Sequence, residues 1–238
     1  SQRVQKSIEE TSGIFLVSKE RICDARFSKS CGGITELYSN TWDNEKISYL
    51  SSVPDSKNSD YSIKSETDAR NWILSKPEAY CNNSDAGILQ TILPDFDQET
   101  GDFYRWKVSY KRDELERLLY RKSGFDFGKI RAIEPLERGP SGRITRLKIS
   151  GTKRTVIVGK ELEIRRWLAQ SHLYSSAFII STSGKERGLP LTFTFHGAGW
   201  GHGVGLCQIG AAVMAIKRIS YEEILRHYFR GVQMVKLY

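Results

Sequence analysis

The sequence predicts an α+β fold: a mixed, largely antiparallel sheet with a buried helix following a glycine-rich loop. Three observations predict it. Residues 129–158 read as successive strands, KIRAIEPLE, RITRLKISG and KRTVIVG, with turn chemistry at RGPSGR, where Pro140 and Gly142 sit. The apolar strand LTFTF (Leu191 to Phe195) runs into HGAGWGHGVG, where Gly197, Gly199, Gly201, Gly203 and Gly205 take every second position. Beyond it, Leu206, Ile209, Val213 and Ile216 recur at three- and four-residue spacing, the period of a helix with one buried face. Gly210, Ala211 and Ala212 let that helix pack closely, and no second parallel strand follows it.

Taken in order, residues 2–12 predict the end of a helix, with Val4 and Ile8 on one face and Gly13 as its stop. GIFLVSKERICDARFS predicts a hairpin turning near Ser18–Glu20, whose second strand delivers SKSCGGITE. From about Asp60 to Gly101 the chain turns polar. A short helix at Thr67–Ser75 carries Ala69, Trp72 and Ile73 and stops at Pro77, and a surface loop follows with Asn82, Asn83, Ser84 and Gly87. FYRWKVSY (Phe103–Tyr110) is a strand whose stripe of Phe103, Trp106 and Tyr110 belongs to the core. KRDELERLLYRKSG is an amphipathic helix with Leu115, Leu118 and Leu119 inward and Gly124 as its stop. KELEIRRWLAQ is a short helix and SSAFIIS a strand. SYEEILRHYFRGVQMVKLY gives a helix capped from Ser220 and a final strand.

The 238 residues suffice for one substantial core. The net charge of +8 and isoelectric point near 9.3 suit an anionic polymer as partner. No nucleic-acid-binding motif accompanies the charge, so nucleic acid is not the expected polymer. No apolar run reaches the roughly 18 residues of a membrane-spanning helix. The opening SQRVQKSIEE is polar and does not read as a signal peptide. Four cysteines form no C-x-x-C pair, which argues against a zinc ribbon. Cys23 and Cys31 are close enough in sequence to bridge in an oxidising compartment, and Cys81 and Cys207 read as buried thiols. No metal and no cofactor is expected.

The glycine loop reads as a site. Alternate glycines let a backbone approach a ligand, and the N-terminus of the next helix offers N–H groups to an anion or oxyanion. His202 and His196 can handle protons near neutral pH, Gln208 can donate and accept hydrogen bonds, and Trp200 can stack on a sugar or base. The spacing is not the dinucleotide-binding fingerprint, which needs a βαβ unit and a later acidic residue. In the earlier block, Lys29, Ser30, Gly32, Gly33, Thr35 and Glu36 cluster. Glu36 is a tempting general acid, although a carboxylate at a strand end is more often structural. A thiol-hydrolase reading would use Cys207 as nucleophile and His202 or His196 as base.

The segment GAGWGHGVGLCQIGAAVMA resembles the C-terminal signature of the SpoIID/LytB family, and DARFSKSCGGITE (Asp24 to Glu36) resembles that family's first block. The run Trp42, Tyr49, Leu50, Ser52, Val53, Asp55 and the trio Ser175, Ser176, Phe178 also match. The resemblance implies one domain over 1–238, with core blocks at 13–55 and 129–238 and a lineage-specific insertion at about 60–128. It implies action on bacterial peptidoglycan outside the cytoplasm. The expected activity is that of a SpoIID-type lytic transglycosylase, which cleaves MurNAc–GlcNAc bonds and leaves a 1,6-anhydro end. The alternative is a non-catalytic wall-binding or amidase-enhancer module. Its partners would be peptidoglycan glycan strands and a cell-wall amidase.

Such cleavage needs one carboxylic acid of raised pKa near the glycosidic oxygen. In the resembled family that acid sits in an upstream E-M-P-x-x-W type segment. Nothing before Gly13 matches, Glu9 and Glu10 included, so the catalytic acid is either upstream or lacking, and activity of this stretch alone is not expected. By position in the motifs, His202 and Gln208 support the chemistry. Lys29, Ser30, Gly32, Gly33, Thr35, Glu36, Trp200, Gly201, Gly203 and Cys207 line the substrate groove. The family's histidine associated with zinc near the first block stands as Ser28 here, so no metal is carried over. Serine is common in the family at the place of Cys207.

Overall fold

The computed structural model describes residues 2–57, 61, 63–85, 87, 89, 90 and 103–238. Among them are six α-helices and eleven strands, the latter in small sheets that are antiparallel with one exception. β1 (Ile14–Ser18) turns into β2 (Arg21–Ile22) through Lys19 and Glu20, both at positive φ (48° and 62°). A two-residue turn of this hand matches the twist of the flanking strands, so the hairpin falls where the sequence places it. β11 (Gln233–Lys236) pairs on the other side of β1. The exception is β3 (Phe27–Ser28), which pairs parallel with β10 (Leu206–Cys207). This short pair joins the first block to the end of the glycine loop.

Two further three-stranded sheets form the other half. β4 (Arg105–Lys111), β9 (Leu189–Ala198) and β8 (Phe178–Glu186) make one, with β9 central. β5 (Ile130–Arg138), β6 (Ile144–Gly151) and β7 (Thr155–Val158) make the second. In β6 the alternation of the sequence puts Ile144, Leu147 and Ile149 inward. They share a core with Phe178, Phe193 and Phe195, and with the helices at Arg112–Ser123 and Glu161–Trp167. Leu115, Leu118 and Leu119 are buried there as the helical period predicts, each contributing about 1.5–3 kcal/mol of burial. That helix stops at Gly124, whose φ of 74° is the left-handed cap its sequence announces. The β4–β9 pairing also builds part of the middle stretch into the sheet that feeds the glycine loop.

A second core lies under the loop. It gathers Cys31, Tyr38, Leu50, Val53, Cys81, Ile209, Met214, Ile224, Tyr228 and Phe229 from the first block, the loop after it, the loop after the helix Glu66–Leu74, and the two C-terminal helices, Gln208–Ile216 and Tyr221–Tyr228, with the cap of the second. The latter begins in a full capping box between Ser220 and Glu223. A third, small cluster packs Trp72 and Ile73 of the helix Glu66–Leu74 against Ile34, Ile179 and Ala198.

Several expectations need correction. The helix after the glycine loop starts at Gln208 rather than Leu206, because β3 claims Leu206 and Cys207 as ladder partners. Ile216, at its end, is exposed. Val4 and Ile8 of the first helix, Gln2–Glu10, are exposed too. Phe103 and Trp106 are buried as expected but in separate clusters. A Cys23–Cys31 bridge does not form. All four thiols are free, and Cys31 is carried by the β3–β10 pairing into the second core, where it meets Cys81. The part of the polar stretch at 91–102 lies outside the described residues.

Candidate functional site

The two motif blocks are stitched together backbone to backbone. Ser30 and Trp200 exchange N–H···O bonds of 3.0 and 2.8 Å, Leu206 N–H donates to Arg26 C=O at 3.0 Å, and Glu36 N–H donates to Gly203 C=O at 2.8 Å. The crossing is close enough that a Cβ on Gly32 would lie 2.8 Å from the Gly199 nitrogen. Gly32 and Gly199, at φ of 80° and 77°, are therefore glycines so that one chain can cross the other. Several loop amides are taken up by this work. Gly199 donates to Tyr104, Gly201 to Tyr174, Val204 to the His202 Nδ1, and Ile209, at the helix start, to Lys29. These four N–H groups are partners within the fold.

Beneath the crossing sits a buried polar pillar. Glu36 has no exposed surface. Its Oε1 accepts from Leu37 N–H and Asn40 Nδ2, both at 2.8 Å, and its Oε2 accepts from Ser141 Oγ at 2.5 Å. Arg143, equally buried, donates to Ser141 Oγ, to Cys31 C=O at 3.1 Å and to Gly201 C=O at 3.2 Å. Burial raises the Glu36 pKa above the ordinary carboxylate value, against the opposing pull of Ser141, Leu37, Arg143 and Asn40. Gly203 lies flat against the guanidinium, where a Cβ would fall 2.3 Å from Arg143 Cζ. Glu36 and Arg143 thereby tie the first block, the 139–143 turn and the glycine loop into one unit.

The accessible side chains sit on top. Lys29 Nζ lies 4.7 Å from the Trp200 ring centroid, and Trp200 in turn touches Tyr174 and Phe103, at 4.4 and 5.0 Å. Arg26 stacks its guanidinium 4.0 Å over Trp42, and Trp42 meets His202 edge-on at 4.8 Å. Phe27 between these two cations is 58% exposed. The half-buried His202 imidazole accepts from Val204 N–H through Nδ1. Desolvation, with Arg143, Arg165 and Arg26 nearby, lowers its pKa to about 4, so it is neutral at physiological pH. These two groups of half-exposed rings, one beside Lys29 and one beside Arg26, make up the candidate face.

Of the groove residues read from the sequence, Lys29, Trp200 and His202 reach this face, and Gln208 is half-buried at the first residue of its helix. Ser30, Thr35, Glu36 and Cys207 point inward. Thr35 Oγ1 accepts from Val53 N–H at 2.8 Å and so anchors the loop after the first block. Gly32, Gly33, Gly201 and Gly203 serve backbone crossing and packing. His196 lies within the β4–β9–β8 sheet, paired with Ile179 and Lys107 and apart from the loop. Sequence reading missed Arg26, Ser141, Arg143 and Tyr174. RGPSGR carried only a turn signal, and nothing local marks an arginine whose partners Gly201 and Cys31 lie 58 and 112 residues away.

A family model described as "Domain of unknown function (DUF8618)" matches residues 36–205, from Glu36 through Gly205. The chain belongs to this family. It is also similar to the "Amidase enhancer" of Bacillus subtilis (strain 168), 23% identical over 246 residues that cover 98% of this chain and 33% of that protein. It is similar to the "Stage II sporulation protein D" of Bacillus amyloliquefaciens, 38% identical over 79 residues covering 33% of this chain and 21% of the relative. An uncharacterized protein of Brachyspira hyodysenteriae is 36% identical over 95 residues, 40% of this chain and 23% of the relative. The chain thus spans a third or less of the length of the curated relatives it matches. With the two sequence blocks, these matches make it a SpoIID/LytB-like chain. Among its described residues no helix is long and apolar enough to cross a membrane.

Two departures from the SpoIID/LytB pattern have a structural reading. Ser28, in the place of the family's histidine, has a buried hydroxyl with no hydrogen-bond partner among the described residues. Cys207, in the place of a common serine, is fully buried. Its sulfur accepts from Cys31 N–H at 3.2 Å, out of reach of solvent.

Proposed function

We propose that this chain binds bacterial peptidoglycan outside the cytoplasm. In this reading the face formed by Arg26, Lys29, Trp42, Trp200 and His202 is one wall of a SpoIID-type lytic transglycosylase groove for glycan strands. The observation that carries the reading is the joining of the two motif blocks under a face of aromatic rings and basic groups. Half-exposed indoles suit the apolar faces of N-acetyl sugars, and Arg26 and Lys29 suit the lactyl carboxylates of a peptide-free strand. In cleavage, a carboxylic acid protonates the glycosidic oxygen and then takes the proton of the sugar's own 6-hydroxyl, with no water nucleophile. Glu36 is enclosed by three donors and acts as a positioning residue rather than as that acid. His202, neutral and fixed by Val204, can only orient. Asp24, the other carboxylate of these blocks, is ion-paired with Arg26 at 2.7 Å, and in this reading the acid comes from outside the two blocks.

A second reading, an amidase-enhancing or wall-binding module without cleavage, draws support from two observations. The relative matched over 98% of this chain is named an amidase enhancer, and Glu36, the glutamate of the first block, is sealed. One experiment separates the two. Peptide-free glycan strands are incubated with this chain and with a form extended upstream, and anhydro-ended fragments are sought by mass spectrometry. Fragments from the extended form alone support the transglycosylase. Strand binding without fragments from either form supports the accessory module. Absence of both binding and fragments would remove the peptidoglycan reading.

A further inference from the structure

We propose that Cys31, Asp55, Cys81 and Cys207 form a structural zinc site in the second core. The four come from separate segments: the first block, the loop that ends at Asp55, the loop after the helix Glu66–Leu74, and the end of the glycine loop. Their three sulfurs and a carboxylate oxygen all lie within 4.8 Å of one another, and all four residues are buried. A tetrahedral zinc ion about 2.3 Å from sulfur holds its sulfurs about 3.8 Å apart. Cys31 Sγ and Cys81 Sγ are separated by 3.7 Å. The widest pair needs to close by no more than about 1 Å for the same ion to reach every donor.

The surroundings are those of a ligand shell. Cys31 N–H points at Cys207 Sγ at 3.2 Å and Gly33 N–H at Cys31 Sγ at 3.4 Å, contacts that favour thiolate over thiol. Asp55 is held through both oxygens: Cys81 N–H donates to Oδ2 at 2.8 Å, and the Tyr228 hydroxyl donates to Oδ1. Gly210 leaves room for this pair, since a Cβ there would lie 2.3 Å from the Tyr228 oxygen and 2.4 Å from Asp55 Oδ1. Among the described residues Asp55 has no ion-pair partner. A fully buried carboxylate beside three thiols, with no cation against it, is costly to fold, and a divalent ion relieves that cost. Arg105, buried and donating to backbone carbonyls that include Gly32 C=O, adds a positive charge on the flank. Binding zinc displaces the thiol protons to solvent. The ion then cross-links the two motif blocks.

The thiols are too far apart in sequence for any C-x-x-C reading, which is why the sequence pointed to no metal. The test is metal content and spectroscopy on the whole chain, purified under reducing conditions without chelator. We expect one equivalent of zinc per chain, retained through gel filtration. Replacement by cobalt(II) should give the intense sulfur-to-metal charge-transfer band of a tetrahedral thiolate site. Cys81→Ser and Asp55→Asn should lose bound metal, while Cys23→Ser, outside the cluster, should keep it. The cobalt spectrum needs only the unsubstituted chain, so a variant that fails to fold leaves the test intact. Folded, reduced chain that takes up neither zinc nor cobalt would overturn the proposal. So would a Cys31–Cys81 disulfide as the stable state of freshly purified chain, read by mass spectrometry of alkylated peptides.

Discussion

Replacing Gly203 by alanine probes the pillar that joins the motif blocks. Two costs are separable in the structure. Gly203 has φ of 78°, and an L-residue there pays roughly 1–2 kcal/mol for the left-handed backbone. Its new Cβ would also fall 2.3 Å from Cζ of the fully buried Arg143. Moving it strips donors from Ser141, Cys31 and Gly201 and takes the nearest countercharge from Glu36. Breaking a buried charge arrangement of this kind costs about 3–5 kcal/mol. Gly231 is the control: it has φ of 75° and nothing within 4 Å of where a Cβ would stand, so Gly231→Ala carries only the backbone cost. Urea unfolding should therefore show Gly231→Ala destabilised by about 1–2 kcal/mol. Gly203→Ala should lose at least about 3 kcal/mol more, or fail to fold. Two variants equal within about 1 kcal/mol would refute the reasoning, because Arg143 would then be free to move without loss.

Three other outcomes follow from the same geometry. His202 has its pKa lowered from 6.5 to about 4 by burial and by the arginines around it, so folding disfavours its charged form. The stability this gives is complete above pH 6.5 and is lost as pH falls towards 4. The loss is about 3 kcal/mol over that window, absent in His202→Asn, and checked by urea midpoints against pH with an NMR titration of the ring. Ser220→Ala removes the side-chain half of the capping box, the Oγ that accepts from Glu223 N–H, and should cost about 1 kcal/mol in thermal or urea unfolding, with glycan binding unchanged. Trp106→Phe keeps the ring in the core but removes the Nε1–H that Gly199 C=O accepts at 2.9 Å. A loss of about 1–2 kcal/mol is expected in the same assay, and no loss would mean that this carbonyl finds another donor.

Much of the fold was legible because its elements carry local signals. The Lys19–Glu20 turn, the Gly124 stop, the inward leucines at 115, 118 and 119 and the Ser220 cap each depend on a few adjacent residues. The start of the helix after the glycine loop was not legible. Leu206 fits a helical face equally well, and only the distant Phe27 turns it into a strand. The candidate site divides in the same way. Trp200, His202 and Lys29 stand out because they sit inside motif blocks. Their charged support, Arg143 and Ser141, comes from a turn more than 100 residues beyond Glu36, and the Cys31–Cys81–Cys207 cluster forms only when three loops meet. In the sequence the alternate glycines read as room for a ligand. Their observed use is room for another strand and for a guanidinium, two demands that leave the same pattern in a sequence.

The face over the joined blocks is proposed to bind glycan strands. Titrating peptide-free strands into the chain, with intrinsic tryptophan fluorescence read beside calorimetry, decides whether it does. Saturable binding is predicted, with affinity at least about tenfold weaker in Trp200→Ala, as loss of one stacked indole implies. Lys29→Ala should weaken it further in low salt than in high salt. Strands that bind Trp200→Ala and Lys29→Ala as tightly as the unsubstituted chain, or that do not bind at all, would contradict it.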